Sequence, residues 1–267
     1  MHLLLIDATG ITRCIWEAAH DLSGQERAQR LLGSGLASFK RCLSQHQPTH
    51  VLAAFDAEGP CWRHEVFEGY KQGREPAGPL FHETSRVVMA RLRRDLGVHC
   101  ISTPNVEADD VIATATMRCA TSRPDAAVTI VSGDKDLCAL INEKVRVFHH
   151  FNRQWRDGQW VQETMGIAPH QICDFLALAG DRSDGIPGVR GIGQDRAARL
   201  LANYGSLHTI LQLPGGKRAN PTVRRVQAHR EDALLSLRLA QPRTDIHLGV
   251  SWSMLARSVQ DSALPSQ

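Results

Sequence analysis

No stretch of this 267-residue sequence approaches the ~18 consecutive apolar residues that a helix needs to cross a bilayer. Nor does it open like a secretory leader: MHLLLIDATG has no basic segment and meets an acid at Asp7. With neither span nor leader, a cytoplasmic protein without a membrane partner is expected. Paired cysteines are missing too. The seven cysteines are scattered, no CxxC occurs, and an odd number without an export signal reads as reduced, mostly buried thiols. No Cys/His group has the spacing of a zinc site. Low-complexity tracts and internal repeats are absent. With 42% hydrophobic and 22% charged residues the balance is that of a globular protein, which excludes wholesale disorder and collagen-like structure. The length suits one large domain or one and a half, ample for a core. Net charge is only +3, but that average hides an asymmetry.

The first half alternates strand and helix patterns. His2–Ile6 reads as a buried strand ending at Asp7, and helices are expected at about 11–21 and 26–46. His50–Phe55 is a second buried strand ending at Asp56. Residues 57–80 are polar and broken by Gly and Pro, 81–96 read as an arginine-rich helix, and Val98–Ser102 is a third strand. EADDVIATAT (107–116) opens a helix with acids in its first turn, where the helix dipole favours them. Ala127–Ser132 is a fourth strand, followed at once by GDKD, and Lys144–His149 a fifth. This alternation predicts an α/β fold with a mostly parallel central sheet. From about 160 the pattern turns helical. Residues 182–230 hold nine Arg/Lys against two Asp, a local charge of +7. The expected organisation is an α/β core over 1–160, a helical region over 161–255 and a loose tail over 256–267.

In a parallel sheet the C-terminal ends of all strands share one edge, and sites form there. Asp7, Asp56 and the pair Asp134/Asp136 all follow strands, and Glu107, Asp109 and Asp110 open a helix just after the third strand. Asp181 and Asp184 stand at the start of the helical part. Taken singly, each acid suits a turn or cap; Asp136 reads equally as an N-cap and Glu107 as a first-turn dipole acid. Taken together they converge, and so many carboxylates repel one another unless cations neutralise them. Their hard oxygens suit Mg²⁺ or Mn²⁺. The chemistry that needs such a set is in-line displacement at phosphorus by two metals about 4 Å apart.

Two further segments complete the pattern. FDAEGPCWRHEVFEGYKQGREP (55–76) brings Arg63, Tyr70, Lys71 and Arg74 toward the acidic edge, where cations can hold phosphates. Tyr70 can stack on a base or merely cover its loop, and Lys71 and Arg74 fit phosphate contact and a solvated loop equally well. GIPGVRGIGQDRAARLL (185–201) fails as a dinucleotide fingerprint, because a helix precedes it and no acid follows at the required distance. It fits a helix-hairpin-helix, whose glycines let backbone N–H groups approach a phosphate ahead of a helix N-terminus; a plain interhelical turn is the alternative. Arg190 and Arg196 would add phosphate contacts that carry no sequence information.

FDxxGxxWRHExFExYKxxRxP, EADDVIATA, VSGDKDLCALI and GDRSDGIPGVRGIG, in this order, resemble the signature blocks of the 5′-nuclease (flap endonuclease) superfamily. The likeness runs from residue 1 to about 240. It includes the nuclease domain of bacterial DNA polymerase I and, more closely, the stand-alone exonuclease IX-like enzymes. It implies a PIN/5′-nuclease-like core, a helical arch at about 64–96 and a helix-hairpin-helix region. It also implies a structure-specific, divalent-metal-dependent cut near the junction of a 5′ flap, on branched DNA, by a monomer. Asp7, Asp56, Glu107, Asp109, Asp110, Asp134 and Asp136 would build the first metal site, and Asp181 and Asp184 would complete the second. Tyr70 and Lys71 look like the pair that meets the scissile region, with Arg63 and Arg74 beside them. The hairpin would hold K⁺ through the carbonyls of Leu178, Ala179, Pro187, Val189 and Ile192, while Gly191, Ile192, Gly193, Gln194, Asp195 and Arg196 touch DNA. One departure is that the family's first block places an arginine seven residues after its acid, whereas Arg13 stands six after Asp7. No polymerase or proofreading segment is expected to follow. The rival readings are a branched-DNA-binding module that does not cut, and a ribonuclease with a related acidic α/β site.

Overall fold

A computed structural model of the chain describes residues 1–214 and 220–257. Six strands form one sheet: β1 (His2–Asp7), β2 (His50–Phe55), β3 (His99–Ser102), β4 (Ala127–Val131), β5 (Val145–His149) and β6 (Gln154–Arg156). Their order across the sheet is β3-β2-β1-β4-β5-β6. All neighbours are parallel except β5 and β6, which pair antiparallel. The five expected strands therefore form, and β6 is an addition. It is only three residues long and two of them are exposed, so it carries no alternating apolar signal.

Side chains alternate along each strand, and the two faces feed two cores. Leu4, Ile6, Val51, Ala53, Phe55 and Val131 pack under α1 (Ala8–Glu17), α2 (Gly24–His46) and, beyond α3 (Trp62–Val66), α4 (Pro79–Leu96). Leu3, Leu5, Leu52, Ala54, Ile130 and Val147 pack under α5 (Ala108–Ser122). The second core runs on without a break. It continues through α6 (Gly158–Met165), α7 (Ile172–Ala179), α8 (Gln194–Tyr204), α9 (Leu207–Gln212), α10 (Pro221–Ala228), α11 (Arg230–Ala240) and α12 (Trp252–Leu255). Val189, Ile192, Leu200 and Leu207 share it with sheet residues. The expected division at 160/161 thus falls in the first turns of α6, inside one continuous core.

Helix α1 starts earlier than its sequence pattern indicates, because Asp7 caps it directly from the end of β1. The stretch expected to form the arch divides in two. Residues 79–96 are α4, whose Phe81, Val88 and Leu92 are buried in the core shared with α2, and the turns and irregular chain at 67–78 carry Lys71 and Arg74 to the cavity at the sheet edge. Five of the seven cysteines are buried, Cys173 is half-buried, Cys14 is exposed, and all are free thiols. Among the described residues no helix is long and apolar enough to cross a membrane. The expected tail at 256–267 lies outside the described residues beyond Arg257.

Candidate active site

The order 3-2-1-4-5-6 reverses direction between β1 and β4, and in open α/β sheets the crevice beyond that switch point receives ligands. Here β1 ends in Asp7 and β4 runs into Asp134. Asp7 Oδ1 accepts the Gly10 N–H (2.7 Å) and Oδ2 accepts the Ser132 hydroxyl (2.7 Å). A Cβ at Gly10 would lie 2.2 Å from Asp7 Oδ2, so any larger residue would have to displace that carboxylate. The Ser132 hydroxyl in turn accepts the Asp134 N–H (2.9 Å), and Asp134 Oδ1 accepts the Asp136 N–H (2.8 Å). A chain of short-range bonds therefore sets three carboxylates. Asp56 is fixed from two sides: its N–H donates to Thr9 Oγ1 (2.7 Å) and its Oδ1 accepts the Ala108 N–H (2.8 Å) at the start of α5. Glu107 is the N-cap residue of α5. Asp181 and Asp184 come from the loop after α7, closed by paired backbone bonds between Asp181 and Ile186 (2.9 and 2.8 Å). Asp7, Asp56, Glu107, Asp109, Asp134, Asp136, Asp181 and Asp184 all line one cavity of about 650 Å³.

Asp110 is the expected ligand that the fold does not bring there. Successive residues on a helix point about 100° apart, so Asp109 and Asp110 cannot share a target. Asp110 is fully buried and its oxygens are taken by Trp62 Nε1 (2.9 Å), by the Arg63 guanidinium (3.0 and 3.1 Å) and by the Arg243 N–H (2.8 Å). Arg63 is likewise not presented to a phosphate. It is 3% exposed, and it also donates to Glu107 Oε2 (2.7 Å) and to the Leu239 carbonyl (2.9 Å). It ties the base of the 67–78 segment to α5 and α11. Tyr70 is buried as well, packed with Cys61, Ile186 and Leu239. Its hydroxyl donates to Glu107 Oε2 (3.0 Å) and lies 3.3 Å from Asp184 Oδ2, so its ring has no open face for a base.

Lys71 and Arg74 do reach the cavity. Lys71 sits at φ +52°, a left-handed backbone that is costly outside glycine and recurs at functional sites. Its N–H donates to the Asp184 carbonyl (2.9 Å), which holds it in place. Its ammonium donates to Glu107 Oε1 (2.6 Å) and stands 3.7 Å from Asp184 Oδ2. Arg74 pairs with the Asp184 carboxylate and donates to the Ser183 carbonyl (3.0 Å). Gly185 lies so close that a Cβ would come within 2.4 Å of the Gly69 carbonyl.

The electrostatics divide the acids into two groups. Burial opposes ionisation of Glu107, yet Lys71 and Arg63 hold it down at about 2. Burial raises Asp7 to about 6, helped by Asp56 and Asp134. Asp109 and Asp136 are pushed well above the usual carboxylate range, first by burial and then by Asp134. Asp134 is raised chiefly by burial, and so is Asp56, which protein crowds on all sides although it stays open to the cavity. Asp136 Oδ1 is buried without a hydrogen-bond partner. A carboxylate set strained by its own repulsion, with an orphaned oxygen, fits a multivalent cation with hard oxygen ligands. Among the described residues no three acidic, imidazole or thiol side chains already close around a single point, so the acids line the cavity without forming a finished ligand shell.

The hairpin after α7 sets residues 178–180 against residues 186–189. Leu178 O accepts the Val189 N–H (2.9 Å), and Val189 O accepts the Ile192 N–H (2.9 Å). A Cβ on Gly180 would lie 2.7 and 2.9 Å from the Ile186 and Pro187 carbonyls, so the strand carrying Ala179 runs against that carrying Pro187. Arg190, Gly191, Gly193, Gln194, Asp195 and Arg196 are exposed, while Ile192 is buried in the core. Gln194 begins α8, where no side chain caps the free N–H groups. Among the cavity residues to which the sequence assigned no role are Arg13, Lys135, Arg156 and Trp160. Arg13, on the first helix, donates to the Glu75 carbonyl (2.8 Å) and lines the cavity. Lys135 was passed over between its two acids. Arg156 and Trp160 lie on β6 and α6; Arg156 stacks on the Trp160 ring (4.7 Å) and donates to the Gly133 carbonyl (3.0 Å). No motif marked these two residues, since β6 itself was not foreseen.

The sheet order, the acidic crevice and the hairpin define a nuclease-type α/β enzyme, and family comparison agrees. Residues 2–166 match the family described as 5′-3′ exonuclease, N-terminal resolvase-like domain, and residues 167–263 match 5′-3′ exonuclease, C-terminal SAM fold. The chain belongs to the 5′-3′ exonuclease family. It is 35% identical over 254 residues to the flap endonuclease Xni of Aeromonas salmonicida (strain A449), a match covering 93% of each chain. It is 37% identical over 265 residues to the thermostable DNA polymerase I of Thermus filiformis, covering 97% of this chain and 30% of the polymerase. In fold it is similar to the T5 D15 protein co-crystallised with metal ions, with a TM-score of 0.75 at 19% identity over 90% of this chain and 89% of that one.

Proposed function

We propose that this protein is a structure-specific flap endonuclease with 5′→3′ exonuclease capacity, hydrolysing phosphodiester bonds of branched DNA near 5′-flap junctions. We read it as a cytoplasmic monomer. The observation that carries the reading is the convergence of eight carboxylates, from three strand ends, a helix start and a loop, on one cavity that Lys71 and Arg74 also line. Two divalent ions, Mg²⁺ with Mn²⁺ able to substitute, would supply an activated water and neutralise the leaving oxygen. Asp7, Asp56, Glu107, Asp109, Asp134 and Asp136 would hold the first, and Asp181 and Asp184 would complete the second. Asp110 and Arg63 act behind them, fixing Glu107 and the helix that carries Asp109. Lys71 and Arg74 orient a phosphate by exchanging a carboxylate partner for a phosphate oxygen. Their ion pairs with Glu107 and Asp184 support this reading, since each already faces an anionic oxygen. The backbone carbonyls of Leu178, Ala179, Pro187, Val189 and Ile192 would hold K⁺, bringing Arg190 and the start of α8 to the duplex phosphates.

The second reading is a catalytically weak branched-DNA-binding protein of the same fold. It is favoured by one observation: the carboxylates do not close a ligand shell among the described residues. Cleavage of a labelled double-flap DNA in Mg²⁺, with EDTA and unbranched-duplex controls, separates the two. Metal-dependent cutting at the junction is expected, and Asp109→Asn should remove most of it while leaving gel-shift binding largely intact. Binding without product in Mg²⁺ or Mn²⁺ would select the second reading.

A further inference from the structure

Besides the acidic cavity, a second one of about 500 Å³ lies beside α8, lined by Gln194, Asp195 and Arg199 from its first two turns and by Thr164–Gly166. Among the described residues Lys135 alone lines both cavities. It stands on the ridge between the first turn of α8 and the carboxylates. Its backbone is held on both sides. Ser132 Oγ takes the Asp134 N–H, Asp134 takes the Asp136 N–H, and Arg156 grips the Gly133 carbonyl. Its side chain is the reverse, 45% exposed with a single ion pair among the described residues, at 3.4 Å from Asp181 Oδ2. Of the other cations of the acidic cavity, Lys71 and Arg74 already have the phosphate role proposed above, while Arg13 and Arg156 donate to the Glu75 and Gly133 carbonyls. Asp181 keeps partners on its other oxygen, because Ser183 donates to Asp181 Oδ1 from both its N–H (2.7 Å) and its hydroxyl (2.6 Å).

We propose that Lys135 is a phosphate-binding residue that bridges the two cavities. It would leave Asp181 to take a backbone phosphate of the strand passing from the first turn of α8 to the acidic crevice. The inference rests on the DNA reading above. A fixed backbone under an exposed ammonium with one long ion pair gives reach without misplacing the flanking Asp134 and Asp136. One lysine on one phosphate releases about one condensed counterion, so it appears in the salt dependence of binding with a slope near 0.9.

The test is equilibrium binding of a fluorescent double-flap DNA, read by anisotropy in Mg²⁺ across a KCl series. It uses the full chain carrying Asp109→Asn to suppress cutting, with and without Lys135→Met and Lys135→Arg. Lys135→Met should weaken binding several-fold at about 0.1 M salt and reduce the log–log slope by about 0.9, while Lys135→Arg should restore both. A weaker affinity at unchanged slope would mean a structural role only, and unchanged affinity and slope would mean no role; either overturns the inference while the DNA reading stands. If the Asp109→Asn parent fails to bind flap DNA at all, the DNA reading falls and this inference with it. Lys135→Gln, nearly isosteric at so exposed a position, serves as the second variant should Lys135→Met fold poorly.

Discussion

The acids that make the crevice reactive should also make the metal-free protein less stable, and Asp7→Asn measures by how much. Asp7 is 6% exposed, and burial with two neighbouring carboxylates raises it from 3.8 to about 6. A carboxylate whose folded value is raised binds its proton more tightly when folded. The stability that Asp7 contributes is therefore fully present below about pH 4, is lost as pH rises through 6, and stays lost above. The shift of about two units corresponds to roughly 3 kcal/mol once the group is fully ionised. Asparagine removes that penalty at little structural cost. Its oxygen still accepts the Gly10 N–H, and its amide can donate to the Ser132 hydroxyl oxygen where the carboxylate accepted from it. Allowing about a third of the gain for imperfect geometry leaves about 2 kcal/mol, near 4–8 °C in Tm for a chain of this size.

The assay is thermal unfolding in EDTA at pH 8 and pH 4, with Mg²⁺ added in a second pH 8 series. Asp7→Asn should melt higher than the parent at pH 8 in EDTA and equal to it at pH 4. Mg²⁺ should stabilise the parent more than the variant, closing the gap, because a ligand that binds only the folded state adds stability in proportion to its binding. Cleavage should be severely reduced at the same time. A variant that melts lower than the parent at pH 8 without metal, or a gap that persists at pH 4, would refute the account of mutual repulsion at the crevice.

Two other substitutions probe the scaffold. Arg63→Met should destabilise by about 3–5 kcal/mol, seen as a lower denaturant midpoint at pH 7, because it strands the fully buried Asp110 without its cation. Gly188→Ala should cost at least about 1–2 kcal/mol for a left-handed backbone at φ +65°, and more because its Cβ would come within 2.3 Å of Gly180 N. A Tm within a degree of the parent would show that the hairpin relaxes and that the close approach of 179–180 to 188 is dispensable.

What could be read in the sequence was what repeats with a period or sits at a fixed place in a strand–helix unit. The five parallel strands, the acids at their ends and the glycine hairpin were of this kind. What could not be read depended on which way a side chain turns. Asp109 and Asp110 are neighbours in the motif, yet one faces the cavity and the other is sealed beneath it by Trp62, Arg63 and Arg243. Arg63 looked like a phosphate ligand because its partner lay 47 residues away, and only the packing of α3 on α5 shows that its charge is already spent. Tyr70 misled in the same way: its hydroxyl, aimed at Glu107, fixes the ring inside a small apolar cluster. β6 was invisible because three residues at an edge need no apolar pattern to pair, and with it went Arg156.

These misreadings share a physical origin. A crevice crowded with carboxylates needs positive charge both in front, where it can be exchanged for substrate, and behind, where it cannot. Sequence shows the cations but not which side of the acids they occupy. Glu107 is the point at which the two kinds meet, with Lys71 on one oxygen and Arg63 on the other. Replacing either cation leaves Glu107 with the other, but replacing the rear one also strips the fully buried Asp110 of its cation and the Leu239 carbonyl of its donor. Cleavage should therefore be the property that responds to Lys71, and folding the property that responds to Arg63.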